Sequence, residues 1–390
     1  MKKLHVLWLP SWYVQKEIPL NGCFFKEQAL ALKKEGVQMG IVYPEIRPLK
    51  ELSLTLLCKN RFQLSHNEEE GIPVMRKHGW NLYPSLIQQQ MRAWISQAER
   101  LFADYRKKYG SPDLIHAQSS IWAGIAASEI HKKTGIPYFI TEHRDGFVTQ
   151  NVLKTPYAQC WSTPILTKAF DQAVNVIAVS QPLQRALSAY THHPLHVIPN
   201  SVDTDLFCPR ERRESKPFCF LTVGNLELRK NIAMLLHAFK ECENSELVIV
   251  GDGPEKGRLM ALAKELGIAS RVQFRGAMPR KQMPAIFQEA DAFVLASRNE
   301  SFGVVCIEAL ATGIPVISTR CGGPEGIINE STGVLVENNH CAELAHAMRT
   351  LKAFDSQTIR QYALREFSSR AVARKHLELY QTLIGPACVA

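Results

Sequence analysis

The sequence predicts an α/β protein built from two Rossmann-like, doubly wound domains that follow one another in the chain and face each other across a cleft. Three observations predict it. Short apolar runs alternate with longer amphipathic ones, the pattern of a parallel sheet wrapped by helices. The alternation breaks at 201–217, SVDTDLFCPRERRESKP, where charge and proline replace apolar periodicity, and then restarts. The chain has 390 residues, 46% of them hydrophobic and 21% charged, enough for two domains that each bury a core.

In the first half LHVLWLP (4–10) reads as a buried strand, and 24–35 carries helical spacing that stops at Gly36. VQMGIVYP (37–44) reads as the next strand, ended by its proline. The insert 45–110 is less regular. It holds one amphipathic helix, SLIQQQMRAWISQAERLFADYRKKYG, whose apolar stripe is read first as core packing and second as a membrane-contacting face. DLIHAQ (113–118), a helix over 123–134, PYFITEH (137–143), NVIAVS (175–180) and LHVIPN (195–200) complete the first unit. After the linker come FCFLTVG (218–224), a helix from about Asn231, ELVIVG (246–251), a helix to Leu266, VQFRG (272–276), DAFVLAS (291–297) and PVIST (315–319). Residues 360–383 have helical spacing and predict a last helix that crosses back to the first domain. The predicted boundaries are 1–200, linker 201–217, 218–365, and the final helix within 366–390.

Ten cysteines are scattered without a C-x-x-C pair, which suggests neither a zinc site nor a disulfide framework and reads as reduced thiols in a cytoplasmic protein. No stretch approaches the ~18 uninterrupted apolar residues of a membrane span. The net charge of +9 is one-sided: residues 1–200 hold 23 Lys+Arg against 15 Asp+Glu, and residues 201–390 hold 23 against 22. Such an excess suits an anionic partner, whether a phospholipid surface, a nucleic acid or a phosphorylated substrate, although a solvated basic face is the plainer explanation. The absence of an RNP-type aromatic pattern demotes nucleic acid.

The stretch NESFGVVCIEALATG (299–313) carries the chemistry. Ser301 or Glu300 is placed to cap a helix begun by Phe302, Gly303 and Val304, whose free amides and positive dipole end make a pyrophosphate seat. Glu308 lies about five helical residues past Gly303, roughly 7–8 Å of rise. That exceeds the ~5–5.5 Å of a retaining glycosidase pair and overlaps the ~6.5–9.5 Å of an inverting one, so the spacing alone leaves hydrolysis open. Carboxylates flanking a phosphate seat suit hydroxyl recognition, and a helix cap plus a surface glutamate is the bland alternative. In TVGNLELRKN (222–231) a strand enters a glycine turn followed by Arg229 and Lys230, a pair suited to a pyrophosphate and, standing alone, ordinary surface. GDGPEKG (251–257) departs from G-x-G-x-x-G and reads equally as a tight turn; GGPEGI (322–327) is another glycine turn.

Taken together, E-x7-E followed by ALATGIPVI, with VGNLELRKN, GDGP, V-x-F-x-G and VIPNSVDTDLF (197–207), resembles the large retaining glycosyltransferase family of GT-B fold, family 4 type, that includes sucrose synthase-like, lipopolysaccharide and phosphatidylinositol mannosyltransferases. The match spans about 170 residues of the C-terminal half in order; PLNGCFFKEQALALKKEGVQMGIVYP, DLIHAQ and ITEH match more loosely.

The resemblance implies a C-terminal domain that binds a nucleotide sugar and an N-terminal domain that binds the acceptor. It implies that Glu300 contacts donor-sugar hydroxyls and Glu308 the ribose. Lys230, Arg229 and the backbone at 302–304 would hold the diphosphate, with Ser301 and Asn225 also on the donor side and Phe274 to Gly276 near the base. Gly22 would let its loop approach the leaving phosphate, with Gln118 and His143 on the acceptor side. Two departures stand out. Asn225 occupies a position where many members have arginine, and Gln118 stands where a second histidine is common; glutamine hydrogen-bonds but moves no proton.

The expected reaction is retaining transfer of a hexosyl group from a nucleoside diphosphate sugar, UDP ahead of GDP, to a hydroxyl of a lipid-linked or polysaccharide glycan. It is expected to need no cofactor or metal and to occur at the cytoplasmic side, peripheral to a membrane. The rivals are a sugar-nucleotide hydrolase or epimerase, a non-catalytic nucleotide-sugar-binding protein and, on charge alone, a nucleic-acid-binding protein.

Overall fold

The computed structural model describes residues 3–15, 22–148, 163–209 and 217–384. The chain divides into two compact units, Met1–Ile198 with Ala373–Ala390, and Pro199–Val372. Residues 210–216 of the expected linker lie outside the described residues.

The first unit holds β1 (His5–Pro10), β2 (Gln38–Arg47), β3 (Leu64–Glu69), β4 (Ile72–Trp80), β5 (Leu114–Gln118), β6 (Tyr138–Glu142), β7 (Asn175–Ala178) and β8 (Leu195–Val197). They form one sheet in the order β3-β4-β2-β1-β5-β6-β7-β8. Only the β3–β4 pair is antiparallel. The second unit holds β9 (Phe218–Val223), β10 (Ser245–Val250), β11 (Val272–Gly276), β12 (Ala292–Leu295), β13 (Val316–Thr319) and β14 (Gly333–Val336) in the parallel order β11-β10-β9-β12-β13-β14. Counted within each unit, the parallel strands run 3-2-1-4-5-6, with β8 added at the edge of the first. In such sheets the order reverses between the first and fourth strands, and ligands bind beyond the carboxyl ends there. In the second unit that point lies beyond β9 and β12. In the first it lies beyond β1 and β5.

The strands are Val-, Ile-, Leu- and Phe-rich because helices cover both faces of a parallel sheet. Leu235, Leu236 and Phe239, from the helix Ile232–Lys240, are fully buried against Phe220, Leu247 and Ile249. The helix Ile87–Tyr109 buries Trp94, Ala98, Leu101, Phe102 and Tyr105, so its apolar stripe is core packing rather than a membrane face.

Four expectations are corrected. β2 does not stop at Pro44 but runs on to Arg47. Its pairing with β1 ends at Ile41, while pairing with β4 continues from Ile41 to Arg47, so the proline removes no donor that β1 needs. The insert contains the β3–β4 hairpin, closed by a two-residue turn at Glu70 (φ 51°) and Gly71 (φ 76°), the positive-φ pair that matches strand twist. The helix expected from 123 begins at Ile125, after an irregular turn over Ser120–Gly124. The single helix expected over 360–383 is two, Ser356–Phe367 and Ser369–Ile384, broken where Ser368 turns extended (ψ 147°) and bridges Val202.

The last helix belongs to the first unit from Ala373 onward. There Tyr380 Oη lies 2.5 Å from His116 Nδ1, and His116 Nε2 lies 2.7 Å from Thr141 Oγ1. The His376 ring is tilted against that of His116, centroids 5.5 Å apart. Burial lowers His376 to about 4. Burial, with the neighbouring His376 and His143, holds His116 well below the ordinary histidine range. Both rings are therefore neutral when folded and take up protons on unfolding once the pH falls below ~6.5. The stability they support is complete above that pH and declines below it, the His376 share being lost as the pH falls toward about 4. Thermal melting is expected to be flat above pH 7 and to drop from pH 6.5 to 4, with His376 accounting for on the order of 3 kcal/mol. The acid sensitivity of His376→Asn should be visibly smaller; an unchanged pH profile would refute this assignment.

Candidate active site

At the carboxyl end of β9 the chain turns through Gly224, Asn225 and Leu226. Gly224 N–H donates to the Val250 carbonyl (2.9 Å) and Leu226 N–H to that of Asp252 (2.9 Å). The GDGP run backs this turn. A Cβ on Gly251 would meet the Gly224 carbonyl oxygen at 1.9 Å, and one on Gly253 would meet the Leu226 oxygen at 2.5 Å. The run is thus a close-packed brace, and its glycines serve backbone approach. Asn225 is exposed at the apex.

Lys230 closes a short helical turn, Leu228–Lys230, and folds back over the turn; a Cβ on Gly224 would lie 3.2 Å from its Cε. Its ammonium is ion-paired with Glu300, both side chains being nearly buried. Ser297 Oγ, just past β12, donates to the same Glu300 oxygen (2.9 Å). A lysine from the end of β9 and a glutamate from beyond β12 therefore meet at the point where the strand order reverses. Arg229 is placed differently: its guanidinium pairs with Glu227 at 2.9 Å and is half-exposed.

The loop 300–303 is stitched to the turn after β13. Glu300 N–H donates to the Cys321 carbonyl (2.8 Å), and Gly323 N–H donates to that of Glu300 (2.9 Å). The helix spans Val304–Ala311 and is led by Gly303 at φ 97°, ψ 58°. This corrects the expectation that Ser301 or Glu300 caps a helix starting at Phe302. A left-handed glycine turns the chain in, and Glu300 is committed to Lys230. Phe302 packs inward, its ring 6.2 Å from Phe367, so only its backbone faces the helix start. Val304 opens the first turn, where amides have no carbonyl partner within the helix.

Glu308 is buried about one helical turn past Val304 and ion-paired with Arg280, whose guanidinium also lies 4.7 Å from the Phe207 ring. The two glutamates are each held by a different cation, so they do not form the carboxylic acid–carboxylate couple of a glycosidase. Phe274 packs against the core of the second unit, and the Gly276 carbonyl accepts from Gly251 N–H (2.8 Å), which ties β11 to the same brace.

In the first unit Gly22 (φ 76°) leads the helix Cys23–Lys34, and a Cβ there would lie 3.0 Å from Tyr13 Cα. Gln118 and His143 are both buried and bonded to each other, Oε1 to Nε2 at 3.0 Å. The rings of Trp12, Phe24 and Phe25 surround His143. Beside them Ser119 (φ 77°) and Trp122 (φ 74°) hold left-handed conformations rare outside glycine. Glu142, fully buried, secures them by accepting from Ser119 Oγ (2.7 Å), Ser120 N–H (2.8 Å), and the His143 and Arg144 amides (each 2.9 Å).

Sequence reasoning brought Lys230, Glu300 and the helix start together and missed Arg280, Ser297 and Glu142. An arginine four residues past the V-x-F-x-G run, and a serine and a glutamate at strand ends, were the available signals.

Two family models match the chain: glycosyl transferases group 1 over residues 205–362 and glycosyltransferase family 4 over residues 24–206. A Bacillus subtilis (strain 168) protein named for teichuronic acid biosynthesis, the glycosyltransferase TuaC, is 28% identical over 360 residues, 88% of each chain. A D-inositol 3-phosphate glycosyltransferase of Corynebacterium efficiens is 30% identical over 318 residues, 71% of this chain and 72% of that one. In fold the chain is similar to Anabaena HepE in complex with UDP (TM-score 0.69, 19% identity, 97% of this chain and 100% of that one). With both halves matched in order and both sheets carrying the Rossmann strand order, the chain belongs to the family 4 glycosyltransferases of group 1, whose two-domain α/β architecture is known as GT-B.

Proposed function

We propose that this glycosyltransferase moves a hexosyl group, with retention at the anomeric carbon, from a nucleoside diphosphate sugar to a hydroxyl of a lipid-linked or polysaccharide glycan at the cytoplasmic face of a membrane. The observation that carries the reading is the Lys230–Glu300 pair set at the carboxyl ends of β9 and β12 beside the first turn of Val304–Ala311. An incoming diphosphate supplies the anion that Lys230 now takes from Glu300, and the released carboxylate accepts hydroxyl hydrogen bonds from the sugar. The helix amides and Lys230 stabilise charge on the departing diphosphate, and no bound metal is called on. Attack comes from the face of the leaving group, whose phosphate oxygen takes the acceptor proton. Glu308, steadied by Arg280, reads the ribose, while Arg229 and Asn225 lie at the rim. His143, Gln118 and Gly22 belong to the acceptor side. Uracil is the first donor base to test, since HepE holds UDP, and TuaC is named for teichuronic acid biosynthesis.

The test is release of UDP and GDP from a panel of nucleotide sugars, with and without membrane lipid extract and with chelator present, and with the anomeric configuration of the product read by NMR. Transfer to lipid with retention supports the proposal. Free sugar without transfer would mean a hydrolase, and donor binding without turnover a non-catalytic protein. Salt-sensitive nucleic-acid binding with no donor affinity would also overturn it. Glu308→Ala should weaken UDP binding about tenfold or more while leaving kcat within a few fold; intact affinity would remove Glu308 from ribose recognition.

A further inference from the structure

We infer that the insert at one end of the first sheet, residues 49–64 with 82–86, is a docking surface for an anionic lipid bilayer. Nine of the fourteen large apolar side chains that stand exposed among the described residues fall in these two stretches, Leu54 at 85% being the most open. Folding gives no reason for them. The turn Leu49–Glu51 and the helix Leu54–Lys59 bury no residue at all, yet leucine occupies 49, 52, 54 and 57. The helix Ile87–Tyr109, by contrast, turns its apolar stripe inward.

The stretches form one ordered patch. The chain leaves the sheet at Arg47, whose carbonyl accepts from Asn81 N–H (2.8 Å). It returns at Asn60, whose Nδ2 donates to the Gly79 carbonyl (2.9 Å) and whose carbonyl accepts from Trp80 Nε1 (3.0 Å). Both ends are therefore pinned at 79–81, immediately before Leu82, Tyr83 and Leu86. Ser53 Oγ accepts from Leu56 N–H (3.3 Å) and caps the short helix.

Charge selects the occupant. Residues 49–64 and 82–86 carry Lys50, Lys59 and Arg61, all exposed, against Glu51 alone. Exposed leucines interleaved with long cationic side chains, with an exposed tyrosine in the second stretch, match the boundary of an anionic bilayer. A second copy of the chain would bring the same positive patch against itself in a two-fold contact. No helix among the described residues is long and apolar enough to cross a membrane, so the contact is interfacial. This surface deepens the reading of a lipid-linked acceptor and rests on it for its purpose.

The test is cosedimentation of the full chain with vesicles of phosphatidylglycerol and phosphatidylethanolamine, and with vesicles of phosphatidylcholine alone, at ~0.1 M salt, where surface charge acts over ~10 Å. The wild type should bind the anionic vesicles at least about tenfold more tightly. Leu54→Asp/Leu57→Asp and Lys59→Glu/Arg61→Glu should each lose about tenfold or more, with melting temperature and UDP affinity unchanged. Wild-type sedimentation of both variants would overturn the inference, as would binding indifferent to lipid charge, or a change in oligomeric state in place of vesicle binding. Vesicle binding without sugar transfer to any lipid would leave this surface standing and remove the acceptor reading.

Discussion

Lys230→Ala is expected to lower kcat for sugar transfer about 10²–10³-fold with a much smaller change in KM. Lys230 is ion-paired with Glu300; on the proposed mechanism it passes to the diphosphate as charge develops there, so its loss should fall mainly on the transition state. The variant also strands a nearly buried carboxylate, which costs stability of its own. Lys230→Arg separates the two effects. It keeps a cation against Glu300 and should restore the melting temperature, while the bulk of a guanidinium over Gly224 leaves turnover depressed. Full turnover by Lys230→Ala would take this residue out of the mechanism.

Gly323→Ala is expected to damage the site from behind. Its Cβ would lie 2.2 Å from Phe302 Cα and 2.3 Å from the Phe302 carbonyl oxygen, backbone atoms that can yield only if the loop itself moves. Overpacking of this kind costs about 1–3 kcal/mol, and a domain of this size loses about 2–4 °C of melting temperature per kcal/mol. Relief comes by displacing 300–303, so nucleotide-sugar affinity should fall together with the melting temperature. Gly326→Ala is the control, since its Cβ has open space in the same turn. If both variants melt alike and bind the donor alike, the stitched loop does not position the anion seat.

The legibility of the fold varied along the chain for physical reasons. Val-, Ile- and Leu-rich runs such as ELVIVG were readable because central parallel strands are apolar on both faces. β3 was not, because LSHNEE sits at the sheet edge and is mostly exposed, and its only signal was the Glu70-Gly71 turn. The proline rule misplaced the end of β2 because a sequence does not show which flank of a strand remains paired. At the site, E-x7-E located both glutamates but not their cations. Lys230 and Arg280 come from 70 and 28 residues upstream, and only the strand order brings them in. Arg229, adjacent to Lys230 in sequence, points to Glu227, which no spacing rule separates from its neighbour.

The His116–Tyr380 contact has a practical corollary for anyone dissecting the protein. A fragment ending near residue 198 would retain every strand of the first sheet yet lack the phenol that satisfies His116 and the helix covering Trp8 and Phe139. The N-terminal half should therefore be obtained in folded form only when residues from Ala373 onward are supplied, covalently or as a peptide, and the halves cannot be exchanged between relatives without that tail travelling along.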